Sequence, residues 1–227
     1  SSGQRPKISV ARLTYILVYA NIFTNKSGGF IMKETYEWIH SWCDEAGKRD
    51  LPRVLLVGDS ITHSYQNEVR ELLRGKVYVD YVATSYAIDT KMFATLIDAF
   101  YKDDKYDLVH FNNGLHGEFI NTRTYAAKLK KIVGKMTNSK VVLVTSTVVN
   151  EGENKIRHPR WHKIVKARNA AVNAIAKEKG YTVDDLYTVS LGIKKEDRLA
   201  DGTHYDKGGV KILAEAVAKN ILENLGL

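Results

Sequence analysis

Apolar and polar residues follow one another along this chain in a pattern that predicts repeated strand–helix units. Short apolar runs typical of buried strands alternate with longer segments whose apolar residues recur at helical spacing. The predicted strands are residues 53–57, 76–83, 106–111, 140–146 and 181–183, and the last helix is predicted from about Lys207. Five strands that alternate with helices predict a parallel sheet with helices on both faces.

The segment ahead of the first predicted strand has a different pattern. Tyr36, Ile39, Trp42 and Cys43 recur at helical spacing, and Gly47 ends the run, so a helix is predicted over residues 35–47. Cys43 is expected to pack within it rather than act as a nucleophile. As the one cysteine of the chain, it excludes an internal disulfide and fits a reducing compartment, so we expect a cytoplasmic protein, with secretion left open.

Length and composition predict one folded domain, residues 32–227, preceded by an extension, residues 1–31. The opening Ser-Ser-Gly resembles an expression remnant, and Met32 resembles a natural start. Residues 13–23 form an apolar run after basic residues, which loosely resembles an export signal but is too short to span a membrane. An alternative is that this run contacts a second subunit, as in a homo-oligomer.

The net charge is +8 and the pI is about 9.3, which would suit an anionic partner. The lysines, however, are scattered and form no compact basic cluster, and no nucleic-acid-binding motif accompanies them. We therefore predict no nucleic-acid partner.

The first predicted strand ends in Gly58-Asp59-Ser60, directly before a predicted helix. In an open parallel sheet, ligands bind beyond the carboxyl ends of the strands, so Ser60 would stand at the mouth of an active site. The positive end of the following helix would face it. The alternative is that Asp59 and Ser60 only cap that helix.

A second motif, Asp201-Gly202-Thr203-His204, precedes the last helix. An acid three residues ahead of a histidine can hold one imidazole nitrogen while the other points outward. If this loop folds across the strand ends, Ser60, His204 and Asp201 become nucleophile, base and orienting acid. Alone, the motif would also fit a surface histidine at a helix entry.

Together, the Gly-Asp-Ser and Asp-x-x-His motifs resemble those of the SGNH (GDSL) hydrolases, over residues 52–225. The resemblance implies a flavodoxin-like three-layer α/β/α sandwich with a five-stranded parallel sheet. It also implies ester hydrolysis through an acyl-enzyme, with no metal or organic cofactor. The nearest competing scaffold, the α/β-hydrolase, has a Gly-x-Ser-x-Gly elbow, but Thr62 occupies the place of the second glycine here.

The resemblance also assigns an oxyanion hole, although two of its usual residues differ in this chain. The backbone N–H of Ser60 is expected to contribute, together with that of Ser85, or of Thr84 or Tyr86 if the register shifts. His116 stands where the family has an asparagine, and a neutral imidazole can donate one N–H. In the competing register Asn113 is the donor.

Three further residues are candidates for substrate contact: Asp59, Asn113 and Trp161. Trp161 would be either a platform for a sugar ring or a residue packed under its loop, with Arg157 and Arg160 nearby. His63 is expected to line the cleft. His158 and His162 have metal-ligand spacing but lack the rest of a metal motif, so no metal site is predicted.

These observations predict a serine esterase that acts on short acyl groups, acetyl above all, carried by a small-molecule or oligosaccharide alcohol. The preference for carbohydrate comes from the resemblance, since many members of that family are carbohydrate O-acetylesterases. A lipid or lysophospholipid acyl hydrolase is the second enzymatic alternative. A carbohydrate-binding protein that keeps the fold without turnover is the third.

Overall fold

A computed structural model describes residues 33–149 and 160–227. Within these ranges the backbone forms one six-stranded sheet of order β1-β3-β2-β4-β5-β6. Strands β2 to β6 are parallel, and β1 pairs antiparallel with β3 at the sheet edge. The strands are β1 (Ile39–Trp42), β2 (Arg53–Gly58), β3 (Tyr78–Thr84), β4 (Leu108–Phe111), β5 (Lys140–Val144) and β6 (Thr182–Asp184).

The helices of the described residues connect these strands and cover both faces of the sheet. They are α1 (Ser60–Leu72), α2 (Lys91–Asp103), α3 (Thr122–Val133), α4 (Trp161–Lys179), α5 (Leu186–Leu191) and α6 (Lys207–Leu225), with a 3₁₀ turn at Lys195–Asp197. The short helix α5 was not predicted from the sequence. Its N-cap is Asp185, whose side chain accepts a hydrogen bond from the Thr188 N–H.

Side chains on β2 show how the sheet separates two apolar cores. Val54 and Leu56 join the core that α1 and α6 cover, while Leu55 and Val57 join the core beneath α2 and α3. The alternation follows from the two-residue period of a strand. The prediction of a three-layer α/β/α sandwich with five parallel strands is confirmed, and the sheet carries one additional antiparallel strand.

The predicted helix over residues 35–47 is wrong, because this segment supplies the additional strand, β1. Its aromatic and branched residues suit strands as well as helices, and contacts with β3 decide between the two. The Trp38 N–H donates to Ser85 Oγ at 2.8 Å, and the Thr84 hydroxyl donates to the Trp38 carbonyl at 2.7 Å. Cys43, expected to be packed in that helix, is exposed.

Several sequence predictions fall outside the described residues: the extension over residues 1–31, the apolar run within it, and the loop residues Arg157 and His158. Across residues 33–149 and 160–227, no helix is both long and apolar enough to cross a membrane.

Candidate active site

Ser60 is the first residue of α1, and only Asp59 separates it from the carboxyl end of β2. The turn between them requires Gly58, because a Cβ at that position would lie 1.9 Å from Thr62 Oγ1. Asp59 caps the helix, accepting the Ile61 N–H on Oδ1 at 3.1 Å. The backbone N–H of Ser60 is one of the N-terminal N–H groups that have no partner inside the helix.

His204 comes from the loop before α6 and reaches Ser60. Its Nε2 lies 2.7 Å from Ser60 Oγ, and its Nδ1 lies 2.5 Å from Asp201 Oδ2. An ionised Asp201 can only accept a hydrogen bond, which assigns the proton of a neutral His204 to Nδ1. Nε2 is then free to accept the Ser60 hydroxyl proton. Ser60, His204 and Asp201, which the two sequence motifs predicted to act together, are therefore joined in one hydrogen-bonded chain.

The loop that carries Asp201 also keeps its carboxylate charged. Burial disfavours the charged form, but hydrogen bonds from the His204 N–H and imidazole and from the Thr203 N–H outweigh it, so the pKa of Asp201 lies below its ordinary value. Both N–H groups lie 2.9 Å from Oδ1. Gly202, at φ +72°, supplies the left-handed turn that the loop needs.

His116 lies in the loop between β4 and α3, and its side chain is 7% exposed. Its Nδ1 is 2.8 Å from Glu34 Oε1. Its Nε2 is buried and has no hydrogen-bond partner among the described residues. A second imidazole–carboxylate pair is thus present, formed by residues 82 positions apart in the sequence.

The prediction that the Ser85 N–H faces an oxyanion does not fit its hydrogen bonding. That N–H donates to the Trp38 carbonyl at 3.3 Å, and the Ser85 hydroxyl donates to Glu37 Oε2 at 2.7 Å. The alternative donor, the Tyr86 N–H, is directed at Thr84 Oγ1 at 3.1 Å. The segment before β1, which was predicted as helix, engages this part of the chain instead.

Two neighbouring asparagines anchor the loop after β4. Asn112 was not singled out in the sequence, yet its amide donates to the Val144 carbonyl at 2.8 Å and its Oδ1 accepts the Gly114 N–H at 3.2 Å. Asn113 is fully buried and donates to the Tyr86 carbonyl at 3.3 Å. The Asn113 amide therefore links two loops.

Two predicted substrate contacts are buried in this structure. Asp59 is 1% exposed and serves as the α1 cap, so a direct role in substrate binding is not supported. Trp161, also 1% exposed, packs beneath the guanidinium of Arg168 at 5.4 Å. Of its two interpretations, packing is the one that the structure favours.

A cavity of about 490 Å³ adjoins the His116 side of the site. It is bordered by aromatic and acidic side chains together with loop backbone: Lys33, Glu34, Thr35, Tyr36, Glu37, Trp38, Ala87, Gly117, Glu118, Phe119 and Trp161. The triad residues do not line it. Its link to the site is the Trp38 ring, which meets the His116 ring edge-on at 6.2 Å.

Metal-ligating side chains do not cluster in the part of the chain that the structure describes. No group of three or more His, Cys, Asp or Glu residues there is arranged to hold an ion. His63, one turn along α1 from Ser60, stacks on His40 at 4.3 Å and lies 3.4 Å from the Tyr81 hydroxyl through Nδ1.

Comparison with known proteins identifies solved structures that share the fold of this chain. No family model matches the chain, and no curated protein matches it. Among solved structures, a lipase/acylhydrolase from Enterococcus faecalis is 18% identical, with a TM-score of 0.63 over 77% of this chain and 97% of that one. A catalytic mutant of an acetylxylan esterase from Geobacillus stearothermophilus is 17% identical, with a TM-score of 0.59 over 75% of this chain and 94% of that one.

A third similar structure is a member of the lipolytic G-D-S-L family from Veillonella parvula. It is 16% identical, with a TM-score of 0.59 over 74% of this chain and 97% of that one. The chain therefore has the fold of the SGNH (GDSL) hydrolases, a group whose solved members include esterases of acetylated carbohydrate. The resemblance seen in the two sequence motifs is confirmed at the level of the fold.

Proposed function

We propose that this protein is a serine esterase that hydrolyses short-chain acyl esters, with acetyl groups on carbohydrate as its first substrate class. The observation that carries the proposal is the hydrogen-bonded chain from Ser60 through His204 to Asp201. A hydroxyl, an imidazole and a carboxylate in this order form the arrangement that activates a serine for acyl transfer.

The reaction follows from these roles. His204 Nε2 takes the hydroxyl proton while Ser60 Oγ bonds to the ester carbonyl carbon. The tetrahedral intermediate then breaks its bond to the alcohol oxygen, which receives the proton from His204, and an acyl-serine remains. A water molecule gives a proton to His204 and attacks the acyl carbon, and the carboxylic acid leaves as Ser60 regains its proton.

The oxyanion would be bound by the Ser60 N–H at the positive end of α1 and by His116. A neutral His116 hydrogen-bonded to Glu34 carries its one proton on Nδ1, which leaves Nε2 without one. Donation from Nε2 therefore requires a doubly protonated imidazole, whose charge the Glu34 carboxylate balances.

The cavity beside His116 supports the choice of a carbohydrate alcohol. Trp38, Tyr36 and Phe119 offer ring faces, and Glu34, Glu37 and Glu118 offer acceptors for hydroxyl groups. A solved structure of the same fold is an acetylxylan esterase. Acetylated xylo-oligosaccharides are accordingly the first substrates to test.

A lipid acyl hydrolase is the second candidate. It is favoured by the exposed rings at the cavity, since Tyr36 is 83% and Phe119 52% exposed, and by the shared fold with a lipase/acylhydrolase. Rates on aryl esters of increasing acyl length separate the two candidates. A rate that falls steeply beyond acetyl supports the first, and a rate that peaks at a long chain supports the second.

The nucleophile is tested by comparing Ser60→Ala with Ser64→Ala on an activated acetyl ester. Ser64 lies one turn along the same helix and only donates to the Ile61 carbonyl at 2.7 Å. Ser60→Ala should lower kcat by about 10⁴-fold or more, while Ser64→Ala should leave it within about 2-fold. Equal rates for Ser60→Ala and the unmodified protein would overturn the proposed function.

A further inference from the structure

Arg168, on α4, lies fully buried beneath the loop that carries His116. Its guanidinium is shared among the backbone carbonyls of that loop. Nη1 donates to Gly114 at 3.0 Å and to His116 at 2.8 Å. Nη2 donates to Gly117 at 2.5 Å and to Ile120 at 3.3 Å. One side chain therefore fixes the backbone on both sides of His116.

The loop is built for this close approach. A Cβ on Gly114 would lie 1.7 Å from Ser146 Oγ, and Gly117 has φ +68°, a conformation that favours glycine. The loop thus lies tightly against its surroundings and adopts a turn that few residues allow. Hydrogen bonds from a rigid, planar guanidinium suit the task of holding such a backbone.

The charge of Arg168 is not balanced by a nearby carboxylate within the described residues, where no acidic oxygen comes within ion-pair distance of its guanidinium. Its neighbours are the rings of Tyr125 at 5.0 Å and Trp161 at 5.4 Å. Burial lowers the pKa of Arg168 below its ordinary value, opposed by Tyr125, Asp89 and Glu118. Arginine nonetheless stays protonated in proteins, so a positive charge persists behind the loop.

Two consequences follow for an oxyanion bound at His116. The carbonyl oxygens of the loop accept from Arg168, so the negative ends of these peptide groups are directed at the guanidinium. The backbone carbonyl of His116 is itself held by Arg168, so the imidazole extends from a fixed point on the backbone. Electrostatic catalysis depends on donors that are already in place before charge develops.

We propose that Arg168 is a positioning residue that sets His116 for oxyanion stabilisation, an inference that rests on the esterase function proposed above. Arg168 does not touch the substrate. It acts through His116, and its contribution therefore disappears when His116 is absent.

The test is a double-mutant cycle of Arg168→Lys and His116→Ala on an acetyl ester, with kcat, KM and thermal unfolding measured for each variant. Lysine keeps the charge but cannot donate to four carbonyls in a plane. Arg168→Lys should lower kcat about 10- to 100-fold and change KM less than about 3-fold. In the His116→Ala background, the same substitution should lower kcat less than about 3-fold.

Arg53→Lys is the matched control, because Arg53 is also buried and also donates to loop carbonyls, at the opposite end of the sheet. It should lower the unfolding temperature and leave kcat unchanged. If Arg168→Lys does not fold, Arg168→Met, which fills similar space, takes its place in the cycle.

Equal losses of kcat in both backgrounds, or an unchanged kcat in folded Arg168→Lys, would overturn the role of Arg168. Failure of both variants to fold would also overturn it, since the residue would then serve the fold. Ser60→Ala, measured alongside, separates the two proposals: full activity in that variant contradicts the esterase mechanism itself, whatever the cycle shows.

Discussion

Two buried arginines hold loops at opposite ends of this sheet, and they differ in how their charge is met. Arg53 begins β2 and donates to the carbonyls of Asp44, Glu45 and Lys48. It also lies 2.7 Å from the carboxylate of Asp80, which is 1% exposed. Arg168 binds loop carbonyls in the same way but has no comparable carboxylate among the described residues.

The difference indicates different tasks. At the amino end, Arg53 pairs with Asp80 at 2.7 Å and with Asp104 at 3.4 Å, at the end of the sheet opposite the proposed site. Asp80 is so enclosed that burial raises its pKa above the ordinary value despite Arg53, the Asp44 N–H and the Tyr106 hydroxyl. At the carboxyl end, Arg168 lies buried behind the loop where negative charge is proposed to develop, and it forms no ion pair among the described residues.

The largest expected effect is at the amino end. Asp80→Asn leaves Arg53 with Asp104, at 3.4 Å, as its remaining carboxylate. It should lower the free energy of unfolding, measured by urea denaturation, by at most about 3–5 kcal/mol. The kcat of the folded fraction should not change. A lower kcat in folded Asp80→Asn would break the contrast between the two ends.

At the carboxyl end, the opposite result is expected: His116→Ala should lower kcat and leave the free energy of unfolding nearly unchanged. Loss of one oxyanion donor costs about 3–4 kcal/mol of transition-state stabilisation, so kcat should fall roughly 10²- to 10³-fold with a small change in KM. His116→Asn restores a side-chain N–H and should retain more of the rate than alanine. A kcat within about 3-fold of the unmodified protein in His116→Ala would remove His116 from the oxyanion hole.

The smallest effect is expected for Glu34, whose side chain is 41% exposed at the pair with His116. Partly exposed ion pairs contribute about 1 kcal/mol or less, so Glu34→Gln should lower kcat about 2- to 5-fold. Glu37→Gln, at a neighbouring cavity position, provides the comparison. If Glu37→Gln lowers kcat more than Glu34→Gln does, the loss of kcat comes from a change in the cavity and not from loss of the ion pair between Glu34 and His116.

Sequence patterns were sufficient where a feature is local. Asp201 and His204 are three residues apart, and Gly58 to Ser60 are consecutive, so each half of the triad can be read from a short motif. Residues 54–57 and 141–144 were equally accessible, since each is a continuous apolar run buried on both faces of the sheet.

Features that depend on distant partners were not predicted. The spacing of Tyr36, Ile39 and Trp42 fits a helix, and only pairing with β3, some forty residues later, makes this segment a strand. The Trp38 carbonyl of this segment accepts the hydrogen bond of the Ser85 N–H, and Glu34, just before the segment, hydrogen-bonds His116. In the sequence, nothing distinguishes Arg168 from the other basic residues of its helix, because its partners are the carbonyls of a loop about fifty residues earlier in the chain.

The most direct test of the central claim is covalent labelling of the folded protein with a fluorophosphonate, followed by intact-mass and peptide analysis. Such reagents form a stable bond only with a serine that an adjacent base has activated. We predict one adduct, on Ser60, that is absent from Ser60→Ala and unaffected in Ser64→Ala. No adduct on the folded protein, or an adduct that persists in Ser60→Ala, would contradict a catalytic role for Ser60.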